Sequence, residues 1–189
     1  MPAVTTPLFP DHTVDTAPPA ARRAMTGVAK GFGYLPVAVG RMAESPETLD
    51  AFLKISATFE ATSLEPIARE VVVMTVATRN RCHLCVAMHT GKLVKYDADP
   101  ALIAALRDGA VLPDPRFEAL RRFVHDVMDA AGGVSDERIR EFLAFGFTAR
   151  NALEVVLGIG AYTLSTFANR LIDAPLDPPI AALAWEEPA

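Results

Sequence analysis

An all-α fold is what this sequence predicts, and three features carry that expectation. Apolar residues recur three and four positions apart along most of the chain, the spacing of one helix face. No stretch alternates apolar and polar residues as a strand would, and no Asn-Gly pair marks a hairpin. Ser-Pro, Glu-Pro and Asp-Pro pairs open the periodic segments, and glycines close several of them.

Each element can be justified in order. Residues 1–15, rich in Pro, Thr and Asp and without periodicity, read as an N-terminal arm that packs late or against a neighbour. The helical domain is expected over 16–173 and a C-terminal tail over 174–189. A first helix is capped by Asp15 or Thr16, takes Pro18 and Pro19 into its first turn and ends near Gly31. A short helix follows Pro36. Ser45-Pro46 opens the next, with Leu49, Phe52, Leu53, Ile55 and Phe59 toward one face. Ser63, followed by Glu65 and Pro66, is the expected cap of the helix that carries Glu70. Asn80 and Arg81 break that helix, and another runs from Cys82 to about Lys95. Asp99-Pro100 starts a helix that Gly109 closes. Asp114-Pro115 starts one closed by Gly132-Gly133, with Phe117, Leu120, Phe123, Val124 and Val127 as its apolar stripe. Ser135 caps a helix to about Phe145, and a long one spans Ala149 to Ile172. In the proline-rich tail, Trp185 is expected to dock the chain end onto the domain.

The second half echoes the first. Offset by 71 positions, Glu70 falls on Glu141, Arg79 on Arg150 and Asn80 on Asn151. Cys82, Cys85 and His89 fall on Leu153, Val156 and Gly160. The shared order of capped helix, short break and apolar helix suggests two related helical repeats, with chemistry kept only in the first.

Composition narrows the class of function. With 189 residues, 51% of them hydrophobic, the chain can bury a full core as one domain. A net charge of −5 and the lack of a basic run argue against nucleic acid as a partner. Met1 to Val14 has no basic-plus-apolar leader pattern, and no apolar run reaches membrane-spanning length. A cytoplasmic protein with no membrane association is therefore expected, and there a Cys pair reads as redox-active or metal-binding.

The only two cysteines, Cys82 and Cys85, form a C-x-x-C. On a helix, residues three and four apart share a face, so Cys82 stands beside Cys85 and His89 one turn above Cys85. The thiolate is the reactive form, and either an imidazole base or a helix N-terminus raises its population. These pull in different directions: the helix dipole favours Cys82, while adjacency to His89 favours Cys85. Adjacency is given more weight here, making Cys85 the expected attacking thiol and Cys82 the resolving one. Glu70, near the start of the preceding helix, is the carboxylate expected to orient His89. Zinc is the main rival, since Cys82, Cys85 and His89 are acceptable ligands. A fourth is wanting, because no other Cys exists and His12 and His125 lack knuckle spacing. No metal or cofactor is therefore expected.

Glu70, Cys82, Cys85 and His89 reproduce the E-x11-C-x-x-C-x3-H signature, and with it the chain resembles the AhpD-like alkylhydroperoxidases of the carboxymuconolactone decarboxylase superfamily. Gly31-Phe32-Gly33-Tyr34-Leu35-Pro36, Asn169-Arg170-Leu171 and Ala174-Pro175-Leu176-Asp177 are similar to segments of its peroxidase-related members. The resemblance implies a compact multi-helix AhpD-like fold and reduction of a hydroperoxide at the second cysteine through a sulfenic acid. The first cysteine would donate a proton and then close the disulfide, while Glu and His relay protons. It implies turnover by a dithiol reductant, a lipoyl-bearing protein or a peroxiredoxin, and a homo-oligomer, trimer or hexamer. Some members place histidine directly before the second cysteine; here Leu84 stands there and His83 one place earlier. The alternatives are a general thiol-disulfide oxidoreductase or redox sensor, and a carboxymuconolactone decarboxylase, whose reaction needs no cysteine pair.

Overall fold

One helix organises the molecule because its middle is enclosed on every side. In the computed structural model, which describes residues 8–188, every position from Glu70 to Ala77 is buried. A helix apolar on all sides must be enclosed by others. This one, α4 (Pro66–Arg79), is surrounded by α3 (Pro46–Glu60), α5 (His83–Lys95), α6 (Pro100–Asp108), α7 (Pro115–Asp129) and α9 (Ala149–Leu171). Around that centre, α1 (Pro19–Phe32) lies on α3, α2 (Val37–Met42) bridges α3 and α9, and α8 (Asp136–Ala144) packs on α7. The described residues contain no strand, so the all-α expectation holds.

Local chemistry sets the helix ends. Ser45, Asp99, Asp114 and Ser135 each accept a backbone N–H of the first turn, and Thr148 and Asn151 form a reciprocal capping box. Two expected caps are not used. Pro18 occupies the N-cap of α1, while Thr16 accepts the Thr13 N–H at 2.9 Å in a preceding turn. Glu65 rather than Ser63 precedes α4. The Ser63 hydroxyl instead donates to Glu154 Oε2 at 2.7 Å and accepts from Asn151 Nδ2 at 3.0 Å, because α9 brings those polar groups within reach. The first helix runs on to Phe32, where Gly33 in the left-handed region closes it.

Both ends of the described part are held. Asp11 and His12 pair with Arg41 and Glu44, so residues 8–15 lie along α2; residues 1–7 of the expected arm fall outside the described part. In the tail a 3-10 helix, Pro178–Leu183, packs on α5, and Trp185 Nε1 donates to the Arg107 carbonyl at 2.8 Å. The internal echo survives as punctuation only. The α4–α5 pair packs side by side, whereas α8 and α9 bend apart by 106°. Leu153, Val156 and Gly160 face outward, where Cys82 and Cys85 are buried. Among the described residues no single helix is long and apolar enough to cross a membrane.

Gly158 marks where α9 crosses α3 and α4. A Cβ there would stand 2.6 Å from Phe59 Cε2 and 2.9 Å from Val72 Cγ1, two fully buried side chains. Gly158→Ala should therefore lose about 1–3 kcal/mol by overpacking despite its better helix propensity. Urea denaturation measures this, and an unchanged midpoint would contradict so close a crossing.

Candidate functional site

The turn between α4 and α5 is built so that both sulfurs end up inside. Asn80 closes α4, Arg81 turns the chain at φ 55°, and the Cys82 N–H bonds back to the Ala77 carbonyl at 2.9 Å. The turn is tied to α9: Asn80 Nδ2 donates to Thr166 Oγ1 at 2.9 Å, and Arg170 Nη1 donates to the Asn80 carbonyl at 2.9 Å. Cys82 is thereby the N-cap of α5 and Cys85 sits in its first turn. Both thiols are free and buried, with sulfurs 3.1 Å apart.

Their surroundings differ. The hydrogen bond shared with Cys85, together with backbone N–H groups of Cys85 and Leu84 and the positive Arg170, outweighs burial and draws the Cys82 thiol below its ordinary value. Cys85 is pushed well up, first by the hydrogen bond it shares with Cys82 and then by burial. Asn169 Nδ2, at 3.3 Å from Cys85 Sγ, and Ser165 Oγ, at 3.8 Å, pull the other way without overcoming this.

Glu70 and His89 do meet. His89 Nδ1 donates to Glu70 Oε2 at 2.6 Å, and the imidazole edge packs on Tyr162 with ring centroids 5.1 Å apart. A proton held on Nδ1 leaves Nε2 of the neutral ring as the lone-pair nitrogen. No hydrogen bond joins His89 to either thiol among the described residues. The adjacency argument that singled out Cys85 therefore lacks its contact, and the helix N-terminus favours Cys82 instead. His83 is half-buried and makes no bond to the sulfurs.

The carboxylate has a second cation. Lys92, one turn beyond His89 on α5, reaches Glu70 Oε1 at 2.8 Å and also pairs with Glu60 of α3. Burial alone would push the Glu70 carboxyl up, but His89 and Lys92 outweigh it and hold it below the usual range. Burial likewise works against the Lys92 ammonium, and the two glutamates more than offset it. Burial pushes the Tyr162 hydroxyl up to about 12, so it stays a neutral hydrogen-bonding group. Lys92, Tyr162, Ser165 and Asn169 escaped the sequence reading. The last three have a signal there: with Thr166 they put polar residues at 162, 165, 166 and 169 of an otherwise apolar helix, one face at helical spacing.

Among the described residues no three Cys, His, Asp or Glu side chains converge as metal ligands. Residues 43–126 match the carboxymuconolactone decarboxylase family. The structure is similar to the alkylhydroperoxidase AhpD core of a peroxidase-related protein from Ralstonia eutropha JMP134, with a TM-score of 0.79, 22% identity, and 91% of this chain and 93% of that one covered. The chain has the AhpD-like helical fold, and its central segment matches the carboxymuconolactone decarboxylase family. A peroxidase-related protein from Silicibacter sp. TM1040 is similar at a TM-score of 0.77 and 18% identity, covering 94% of this chain and 97% of that one. The debrominase Bmp8, in complex with 2,3,4-tribromopyrrole, is similar at 0.71 and 14%, covering 95% and 96%. At these identities the structural likeness is one of fold. No curated protein matches the sequence.

Lys92 decides how this centre carries its buried charge. Because the folded Glu70 value lies below its unfolded one, its contribution to stability is complete above about pH 4.3 and is lost as pH falls through the folded value. Lys92→Met leaves one carboxylate oxygen without its cation, at a cost of about 1–3 kcal/mol near neutral pH. It should also move the acid loss of stability to higher pH, whereas Lys92→Arg should restore most of both. Urea denaturation from pH 3 to 7 checks this; superimposable curves for Lys92→Met and wild type would rule it out.

Proposed function

We propose that this protein is a thiol-dependent peroxidase in which Cys82 and Cys85 pass between dithiol and disulfide. The observation that carries the reading is the pair itself: two free sulfurs 3.1 Å apart, one at a helix N-terminus that stabilises its anion and the other still protonated beside it. The superfamily and its peroxidase-related neighbours are consistent with this chemistry.

The steps follow from the charge distribution. The Cys82 thiolate attacks the terminal oxygen of a hydroperoxide, the O–O bond breaks, and Cys82 becomes a sulfenic acid. The departing alkoxide takes the neighbouring Cys85 proton and leaves as alcohol. The Cys85 thiolate so formed attacks the Cys82 sulfur, closing the disulfide and expelling hydroxide. One more proton turns that hydroxide into water: it is the proton released when Cys82 ionised, taken up on the lone pair of His89 Nε2 while Glu70 steadies the imidazolium through Nδ1, and then returned. A dithiol reductant, a lipoyl protein or a peroxiredoxin, returns the pair to two thiols by disulfide exchange.

A second reading of the same pair has Cys85 attack first. Asn169 and Ser165 favour it, since both place donors at Cys85 that could hold a charged sulfur there. Single-cysteine variants separate the two. With one equivalent of organic hydroperoxide, Cys85→Ser should still react once and hold a sulfenic acid on Cys82 that a dimedone-type probe labels. Cys82→Ser should not react at neutral pH. The reverse labelling pattern would establish Cys85 as nucleophile, and both thiols surviving excess hydroperoxide in the wild type would end the peroxidase reading.

His89→Gln and Glu70→Gln should slow turnover by about 10²–10⁴-fold, the range of general acid-base assistance. Asn169→Leu should leave the first step at Cys82 nearly intact and slow disulfide closure, because it removes a donor that steadies the Cys85 thiolate. Stopped-flow traces of sulfenic acid formation and decay resolve the two steps, and an equal loss in both would count against that role for Asn169.

A further inference from the structure

The longest helix has one face that nothing among the described residues covers. Between Glu154 and Arg170, α9 carries no charged residue. One side packs on α3 and α4, as an apolar helix in a core should. The other side exposes Leu153 at 73%, Val156 at 48%, Phe167 at 59% and Leu171 at 74%. Gly160 is exposed between them, and Leu164 is half-buried on the same side. The positions 153, 156, 160, 164, 167 and 171 follow the 3.6-residue repeat, so they make one straight stripe about 27 Å long. An exposed apolar surface this continuous marks a contact site rather than ordinary surface.

Its occupant can be read from the order of residues along it. Turned end for end about Tyr162, the stripe meets itself: Leu153 falls opposite Leu171 and Gly160 opposite Leu164, with Val156 one position from the image of Phe167. The leucine then faces the one position without a side chain, where a Cβ would meet nothing within 4 Å in the protomer. The charges at the ends match as well. Arg150, whose side chain is 71% exposed, falls within one position of the image of the exposed Asp173. A surface that complements itself under a two-fold rotation is what an isologous interface requires.

We infer that this stripe is the seam of a homodimer, in which α9 packs antiparallel on α9 of a second copy about a two-fold axis near Tyr162. Of the trimer and hexamer implied by the family resemblance, only the hexamer has room for such an axis. The inference stands apart from the thiol chemistry: the cysteines face the opposite side of α9, and mass is read without turnover.

Sedimentation velocity at micromolar concentration tests it. The wild type should sediment as two chains of 20.3 kDa or an even multiple. Gly160→Arg should halve that mass while keeping the helical circular dichroism, since in the protomer the new side chain enters open space and arginine is the better helix former. Phe167→Lys should do the same from a second position, which covers the case that Gly160→Arg fails to fold. A wild-type mass of one or three chains would overturn the seam. So would an oligomer that both variants leave intact, or a monomer that floats with lipid vesicles through this face.

Discussion

The fully buried Glu70 carboxylate is the constraint on which the rest of the structure turns. A charge placed on the most enclosed helix of a small domain costs several kcal/mol unless it is paired on the spot. Both partners come from α5, where His89 and Lys92 are one turn apart and bracket the two oxygens at 2.6 and 2.8 Å. That pairing fixes how α5 is rotated against α4, and so also where Cys85, one turn before His89, must point. Glu60 of α3 satisfies the outer side of Lys92, which joins a third helix to the same network.

Much of this was legible in the sequence, for identifiable reasons. Helix starts at Pro46, Pro66, Pro100 and Pro115 follow from local stereochemistry, which needs no knowledge of neighbours. That Glu70 would act on His89 was also within reach from the residue types and spacing, though not that the contact is direct. What escaped depends on distant sequence. Ser63 reads as a cap until Asn151 and Glu154 arrive from α9 and take its hydroxyl. The ranking of the thiols rests on more than spacing. Spacing placed His89 above Cys85, but spacing does not reveal that Glu70 claims Nδ1 or that Tyr162 packs against the ring. Asn169 and Ser165 were hidden by distance, although their helical spacing among apolar residues was visible.

The ties between the cysteine turn and α9 carry a further consequence, for how the protein matures. Most contacts in a helical domain are local, which makes such domains fast to fold. Here Asn80–Thr166, Cys85–Asn169 and Arg170–Asn80 span separations of 86, 84 and 90 residues. Closing a loop of that length costs roughly 4 kcal/mol of chain entropy before any of these bonds repays it. The α4–α5 hairpin can form first, with its paired sulfurs open to solvent on the side α9 will cover. A nascent or partly unfolded chain is then a more accessible thiol than the native one, and further oxidation of its sulfurs would leave α9 with a larger, charged surface to dock against. Burial of the cysteines in the folded chain thus limits the reach of oxidants to both sulfurs.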